Sequence, residues 1–259
     1  MNTQAGDKWR SDLAQWGIPA QILEQAPESP WIHPPELFQI PAVIIDSPSH
    51  QVAREVLPLG GSILDIGCGG GIASFAVTPP ANVVIGVDHQ PEMLEMYLSN
   101  AQVRNVSASS ILGFWPEVST SAPVADVVAA HHVVYNVSNI EEFLLEMDSH
   151  ANKRTVIEMP QLHPLSSSNT LWEHFWNLSR PAQPSHWDLM NVLTELGFDA
   201  KQKLWEGEMR FEADLEKQAH HARIRLCLPA SRESEVLDYL KEHQPTRVRK
   251  LATIWWDKS

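Results

Sequence analysis

The segment that most limits what this chain can fold into is Ile63-Leu-Asp-Ile-Gly-Cys-Gly-Gly-Gly-Ile72. A short apolar run enters a glycine cluster, and an apolar helix start follows over 72–77. A buried strand that turns through glycines into a helix belongs to a parallel α/β sheet. Its crossover helices cover both faces, so its strands read as continuous apolar runs. The neighbouring chain repeats the pattern. A helix over 49–57 precedes it, with Ser47 or Ser49 as N-cap. A strand over 82–87 ends at Asp88, and a helix over 91–105 carries Pro91 in its first turn. Strands over 108–112, 125–130 and 154–159 follow, with a helix over 139–151. Gly197 closes a helix over 187–196. Then come a strand over 200–205, helices over 211–226 and 233–243, and a last strand over 248–256. The expectation is a doubly wound, mostly parallel α/β sheet of about seven strands, with late helical insertions. It occupies 46–259, and a proline-broken N-terminal cap or arm occupies 1–45. Residues 160–184, rich in Trp and Phe between prolines, are a candidate lid.

At 259 residues the chain buries a large core without disulfides or structural metal. Its 19 Lys+Arg stand against 32 Asp+Glu, a formal charge of −13, which counts against a broad basic face for nucleic acid. Cys68 and Cys227 make neither a disulfide framework nor a zinc site. Residues 1–17 hold charges and two tryptophans but no apolar run, and no stretch of 18 apolar residues occurs. A cytoplasmic protein with no membrane span is therefore expected.

Glycine lets backbone approach a ligand, and the helix N-terminus beyond the loop offers free N–H groups. Such loops hold nucleotides at the carboxyl ends of parallel strands. The same spacing also serves a mere strand-to-helix turn. Two carboxylates sharpen the reading. Asp65 opens Asp65-x-Gly67-x-Gly69-x-Gly71, and Asp88 ends the next strand, 23 residues on. A carboxylate at that strand end can accept both hydroxyls of a ribose, or cap the helix before Pro91. A nicotinamide fingerprint fails in both registers, because Ile72 or Ser74 stands at its third position. Asp65 is poorly placed for a diphosphate and better suited to a ligand carrying an ammonium group.

The chain resembles the class I, Rossmann-fold S-adenosylmethionine-dependent methyltransferases. The resemblance lies in Leu64-Asp-Ile-Gly-Cys-Gly-Gly-Gly71, Gly86-Val-Asp-His-Gln-Pro-Glu-Met-Leu94 and Ala125-Asp-Val-Val-Ala-Ala-His-His132, and covers roughly 48–160. It implies S-adenosylmethionine as cofactor. Asp65, Gly67 and Gly69 would line its methionine part, with Cys68 a small buried side chain beneath. Asp88 would take the ribose, with His89 and Met93 near the adenine. The backbone of Ala130 and His131 would meet the amino group. After the third strand many members carry an acidic residue for the adenine amino group. Here Gly113 is followed by Phe114 and Trp115, which offer packing instead, and Trp115 serves core packing equally well.

Methyl transfer needs an acceptor atom held in line with the methyl group, and a base only when the acceptor is a weak, protonated nucleophile. His132, Tyr135 and His163 follow the fourth and fifth strands and are the candidate bases, each equally able to hold its own loop. Adjacent His131 and His132 on extended chain should point apart, and no metal is expected. The acceptor pocket is expected from 31–38 and 160–184. There Trp172, Phe175 and Trp176 share one helix face, either as pocket wall or as packing. The expected function is methylation of a small-molecule acceptor at O, N or C. The alternatives are an RNA or protein methyltransferase and a non-catalytic S-adenosylmethionine-binding module, with a nucleotide-dependent oxidoreductase disfavoured by the glycine register.

Overall fold

The computed structural model describes residues 2–31, 39–208, 214–243 and 248–258. Its seven-stranded sheet has the order β3-β2-β1-β4-β5-β7-β6. The strands are β1 Gly61–Ile66, β2 Ala81–Asp88, β3 Ser107–Leu112, β4 Ala125–His131, β5 Ala151–Pro160, β6 Lys201–Glu208 and β7 Val248–Asp257. β1 to β5 pair in parallel, and β7 runs antiparallel between β5 and β6. The doubly wound, mostly parallel sheet read from the sequence is the one observed.

The helices are α1 Gln4–Ala14, α2 Ala20–Leu23, α3 Pro48–Val56, α4 Ile72–Ala76, α5 Pro91–Arg104, α6 Ile140–Ser149, α7 Asn169–Trp176, α8 His186–Glu195, α9 Leu215–Arg225 and α10 Glu233–Glu242. Local chemistry sets their starts. Ser47 caps α3 in a reciprocal box with His50, and Ser185 caps α8 in one with Asp188. Pro91 opens α5, and Asn105 in the left-handed region closes it.

The strands alternate between two cores. Ile63, Val84, Val127 and Val156 face α3, α4 and α5, packing with Val52, Phe75, Leu94 and Tyr97. Leu64, Ile85, Val128 and Ile157 face the other way, onto Trp9, Phe143, Leu144, Leu189 and Val192 from α1, α6 and α8. Each such large side chain contributes about 1.5–3 kcal/mol by burial. Trp9 is fully buried and donates Nε1–H to the Val137 carbonyl at 2.8 Å, which ties α1 to the body.

A third cluster joins Ile22 of α2 to Leu171, Trp172 and Phe175 of α7 and to Val236 and Leu240 of α10. Trp176 packs against it and donates to the Leu226 carbonyl at 2.7 Å. The aromatic trio is thus packing rather than pocket wall.

The site is positioned by the way β1 and β4 part. Their pairing ends at Asp65↔Ala129, whereas β4 stays paired with β5 as far as His131↔Glu158. The chain leaves β1 toward α4 and β2 on one side, and the sheet continues to β5 on the other. That reversal is the switch point where open α/β sheets bind ligands.

Candidate active site

The donor side is made mostly of backbone. Gly67 turns out of β1 at φ 66°, and its N–H and that of Cys68 donate to the Val87 carbonyl of β2. A Cβ at Gly67 would stand 2.5 Å from Val133 Cγ2, so the loop passes directly under the segment that follows β4. Gly71 enters α4 at φ 95°, with Phe75 and Tyr97 in the space a side chain would need. Asp88 accepts from Gly69 N–H at 3.0 Å on Oδ2 and from Gln90 N–H at 3.0 Å on Oδ1. One carboxylate therefore fixes both the loop and the start of α5, and each oxygen keeps lone-pair capacity for a ligand. The buried Cys68 thiol packs beneath the loop near Gly86, and burial raises its pKa.

Asp65 lies beneath the loop rather than at its rim. It is 1% exposed and accepts from Ser74 N–H at 3.2 Å and Ser74 Oγ–H at 2.8 Å. Burial pushes its carboxyl up to about 7, against the lowering effect of both Ser74 bonds. Its visible work is to hold α4 behind the loop.

At the β2–β3 edge, exposed His89 and Phe114 stack with ring centroids 4.6 Å apart. Any flat group entering between them has to part them. Gly113 donates to the Asp88 carbonyl at 2.9 Å, and Met93 is buried in the first turn of α5. Of the two roles open to Trp115, the structure shows core packing: it is buried and donates to the Phe143 carbonyl at 3.3 Å.

The β4–β5 side of the crevice is made of side chains. Ala130 is fully buried at the end of β4, and His132 follows with φ 62°, in the left-handed region. That turn overrides the alternation expected of extended chain. His131 and His132 both come to Glu158 of β5, His132 through Nε2 at 3.2 Å from Oε1. The other Glu158 oxygen accepts from Ser47 Oγ–H at 3.0 Å. His50 of α3 stacks on His131 at 5.6 Å and accepts from Ser47 N–H at 3.1 Å on Nδ1. Burial holds His131 down to about 3 and also lowers His50. Burial works to raise Glu158, yet the neighbouring histidines and hydroxyls keep its carboxyl well below the usual range. His50 Nε2 and His132 Nδ1 are buried without a partner among the described residues. Glu158 and His50 were not singled out from the sequence. A lone carboxylate near the carboxyl end of an apolar strand was the available signal for Glu158.

His163 and Tyr135 are engaged elsewhere. His163 is 4% exposed, stacks on Trp16 at 4.1 Å and accepts from Leu165 N–H at 3.3 Å. Burial takes it down to about 4. Tyr135 meets His163 edge-on at 5.8 Å, and burial raises its hydroxyl against the lowering effect of Arg249. Arg180 donates to the Trp16 and Gly17 carbonyls and lies over the Trp16 and Trp172 rings. Trp16 and Gly17 are thereby tied to the segment after β5. Of the expected pocket segment 31–38, residues 32–38 lie outside the described residues. A 330 Å³ hollow between α1 and α8, lined by Lys8, Asp188 and Thr194, is remote from the glycine loop and is not part of this site. Among the described residues no group of three His, Cys, Asp or Glu could hold a metal ion, and no helix is long and apolar enough to cross a membrane.

A methyltransferase domain model matches residues 64–154, from the glycine loop to the start of β5. Over these residues the chain is similar to that family. It is similar to a ubiquinone biosynthesis O-methyltransferase of Azorhizobium caulinodans, 30% identical over 133 residues, 51% of this chain and 52% of that protein. The match thus spans about half the length of that relative. Among solved structures, YcgJ of Bacillus subtilis superposes with TM-score 0.57 at 18% identity, over 81% of this chain and 97% of its own. A coclaurine N-methyltransferase bound to N-methylheliamine and SAH superposes with TM-score 0.51 at 12% identity, over 97% of this chain and 87% of its own. At these identities both speak for the fold alone.

Proposed function

We propose that the chain binds S-adenosylmethionine across the β1/β4 switch point and catalyses transfer of its methyl group to a small-molecule acceptor. The observation that carries this is the cradle at the end of β1. Gly67 and Gly71 are left-handed turns whose Cβ space is already filled, and Asp88 pins the Gly69 amide. The residues fit the cofactor: open backbone for the amino-acid part, a carboxylate with spare lone pairs for the ribose, and a His89–Phe114 ring pair for a flat base. When bound, the cofactor supplies an electrophilic methyl group on a sulfonium. The chain's own work is to hold the two partners in line and keep water out. Ala130 and His131 offer backbone at the crevice where β4 leaves β1. Trp16, His163 and Tyr135 pack on one another where the first residues meet the segment after β5. The O-methyltransferase name of the relative supports a small acceptor, and the acidic balance speaks against RNA.

Calorimetric titration with S-adenosylhomocysteine and NAD, followed by radiolabelled methyl transfer to small molecules, RNA and protein, tests the proposal. Binding of the sulfur nucleotide with transfer to small molecules is expected. Binding without any transfer would favour a non-catalytic module. Failure of folded, ligand-free chain to bind S-adenosylhomocysteine would sink the reading, and binding of NAD alone would favour an oxidoreductase.

A further inference from the structure

We propose that two copies of the chain pair through β6, antiparallel and centred on Leu204, and so join their sheets into one. The surface lies outside the cofactor cradle, and the pairing stands whether or not the chain transfers methyl groups.

β6 is an open edge. It pairs with β7 alone, and among the described residues no strand lies on its other side. An edge of eight residues leaves a row of backbone N–H and C=O groups ready to pair with another extended chain. Natural edges are guarded by charge, and scattered lysines would suffice for that. β6 instead carries an ordered pattern, Lys201-Gln-Lys-Leu-Trp-Glu-Gly-Glu208, with both lysines in its first half and both glutamates in its second. Laid antiparallel on itself, such a strand sets its basic half beside the acidic half of the copy. Laid parallel, it sets like charge beside like. The pattern therefore selects a second copy of this chain, in one direction, over an arbitrary partner.

The register follows from the pleat. Directly opposed residues of an antiparallel pair put their side chains on the same face, and a two-fold axis normal to the sheet leaves the faces unchanged. Opposed residue numbers must then share parity, so the axis passes through a residue, Leu204 or Trp205. Centring on Trp205 opposes Leu204 to Glu206. Centring on Leu204 opposes that residue to its own copy, Gln202 to Glu206, Lys203 to Trp205 and Lys201 to Gly207. Leu204 is 45% exposed, an apolar side chain that meets its like on the axis. The Trp205 ring leans along its own strand over Gly207, where an added Cβ would stand 2.8 Å from Cζ3. Its Nε1–H donates to Thr253 Oγ1 at 3.0 Å. Both lysines of the copy thus come to one fixed indole, a cation–π arrangement. Lys201 also lies 3.8 Å from Asp257 of β7, a loose exposed pair that leaves it donors to spare. Three strands, β7, β5 and β4, separate β6 from β1, so the pairing leaves the glycine loop open.

Sedimentation of the full chain over a range of concentrations is the first test. A monomer–dimer equilibrium is expected, at the weak end because an edge pairing is small. Lys201→Glu with Lys203→Glu makes the strand wholly acidic, and Glu206→Lys with Glu208→Lys makes it wholly basic. Each double variant should dimerise at least about 10-fold more weakly, and the two mixed should form a heterodimer. The second test is oxidation of Leu204→Cys. Opposed Cα atoms lie about 4.5–5.5 Å apart, within reach of a disulfide, so a covalent dimer is expected. The wild-type chain, whose Cys68 and Cys227 are buried, is the control. Lys203→Cys and Trp205→Cys should each stay unlinked alone and link when mixed. A monomer at every concentration, a dimer indifferent to both charge reversals, or linkage through Trp205→Cys in place of Leu204→Cys would overturn the proposal. Circular dichroism reports whether each variant folds, and the Leu204→Cys result decides even if a charge variant does not.

Discussion

Two buried carboxylates stand at the carboxyl edge of the sheet, Asp65 on β1 and Glu158 on β5, and their surroundings are opposite. Asp65 is met by one serine and pushed up to about 7 by burial. Glu158 is met by Ser47, His131 and His132, and is held down. The two halves of the site differ in the same way. The glycine-loop half is laid out largely by backbone turns that Asp88 pins, and Asp65 beneath it serves to brace a helix. The β4–β5 half gathers side chains from α3, β4 and β5, and Glu158 faces other titratable groups. A half built from backbone is set by φ angles and small residues. A half built from side chains can vary its chemistry while the backbone stays put.

The sharpest way to break this contrast is at Gly67, where the halves touch. Gly67→Ala combines a left-handed φ with a clash on Val133, and should cost about 3 kcal/mol or more by urea unfolding. Adding Val133→Ala relieves the clash but not the φ strain, so only part of the loss should return.

Next come the two acids, with opposite signs. The folded pKa of Asp65 lies above its unfolded value of about 3.9, so its ionisation costs stability as pH rises from about 4 to 7. Asp65→Asn keeps an oxygen for Ser74 and should gain on wild type across that window, by on the order of 3 kcal/mol at pH 7. The folded pKa of Glu158 is depressed, so its contribution is present above its unfolded value of about 4.3 and is lost as pH falls below it. Glu158→Gln should be the less stable chain at pH 7 and converge on wild type in acid. Urea midpoints at a series of pH values check both, and slopes of the same sign would erase the contrast.

Asp88→Asn replaces one accepting oxygen by an amide that faces an N–H. Loss of one charged hydrogen bond is worth about 1.5–3 kcal/mol, so S-adenosylhomocysteine affinity should fall about 10- to 100-fold by calorimetry. The smallest effect is expected at Trp16→Phe. It keeps a ring against His163 but loses the Nε1–H bond to the Gln183 carbonyl, for about 1 kcal/mol. The nucleotide affinity should not move.

The sheet was legible because each of its signals is local. Apolar runs, Pro91 and Gly197 mark their own elements, and strand and helix ends fell within a few residues of those read. The glycine-loop half was legible for the same reason: a glycine turn is written in its own sequence. Spacing tells that Asp65 precedes a loop, not that it lies buried beneath it against Ser74. The β4–β5 half resisted. Nothing in the sequence announces that His132 turns left-handed, and without that turn the histidine pair appears divided between two faces. His50, Glu158 and His132 are brought together only by the stacking of α3 on the sheet and the β4–β5 register. The tryptophans of α7 were ambiguous because helical spacing shows that they share a face, not what lies opposite.

The clasp of Trp16 on His163, with Arg180 holding the Trp16 and Gly17 carbonyls, has a consequence for re-engineering. The residues around Trp16 and the segment following β5 hold one another through one ring stack and hydrogen bonds to main-chain carbonyls. Transplanting the first segment alone from a relative without this tryptophan would leave His163 and Arg180 without the ring they pack on. A chimera intended to accept a different molecule should exchange both pieces together and leave the glycine loop untouched.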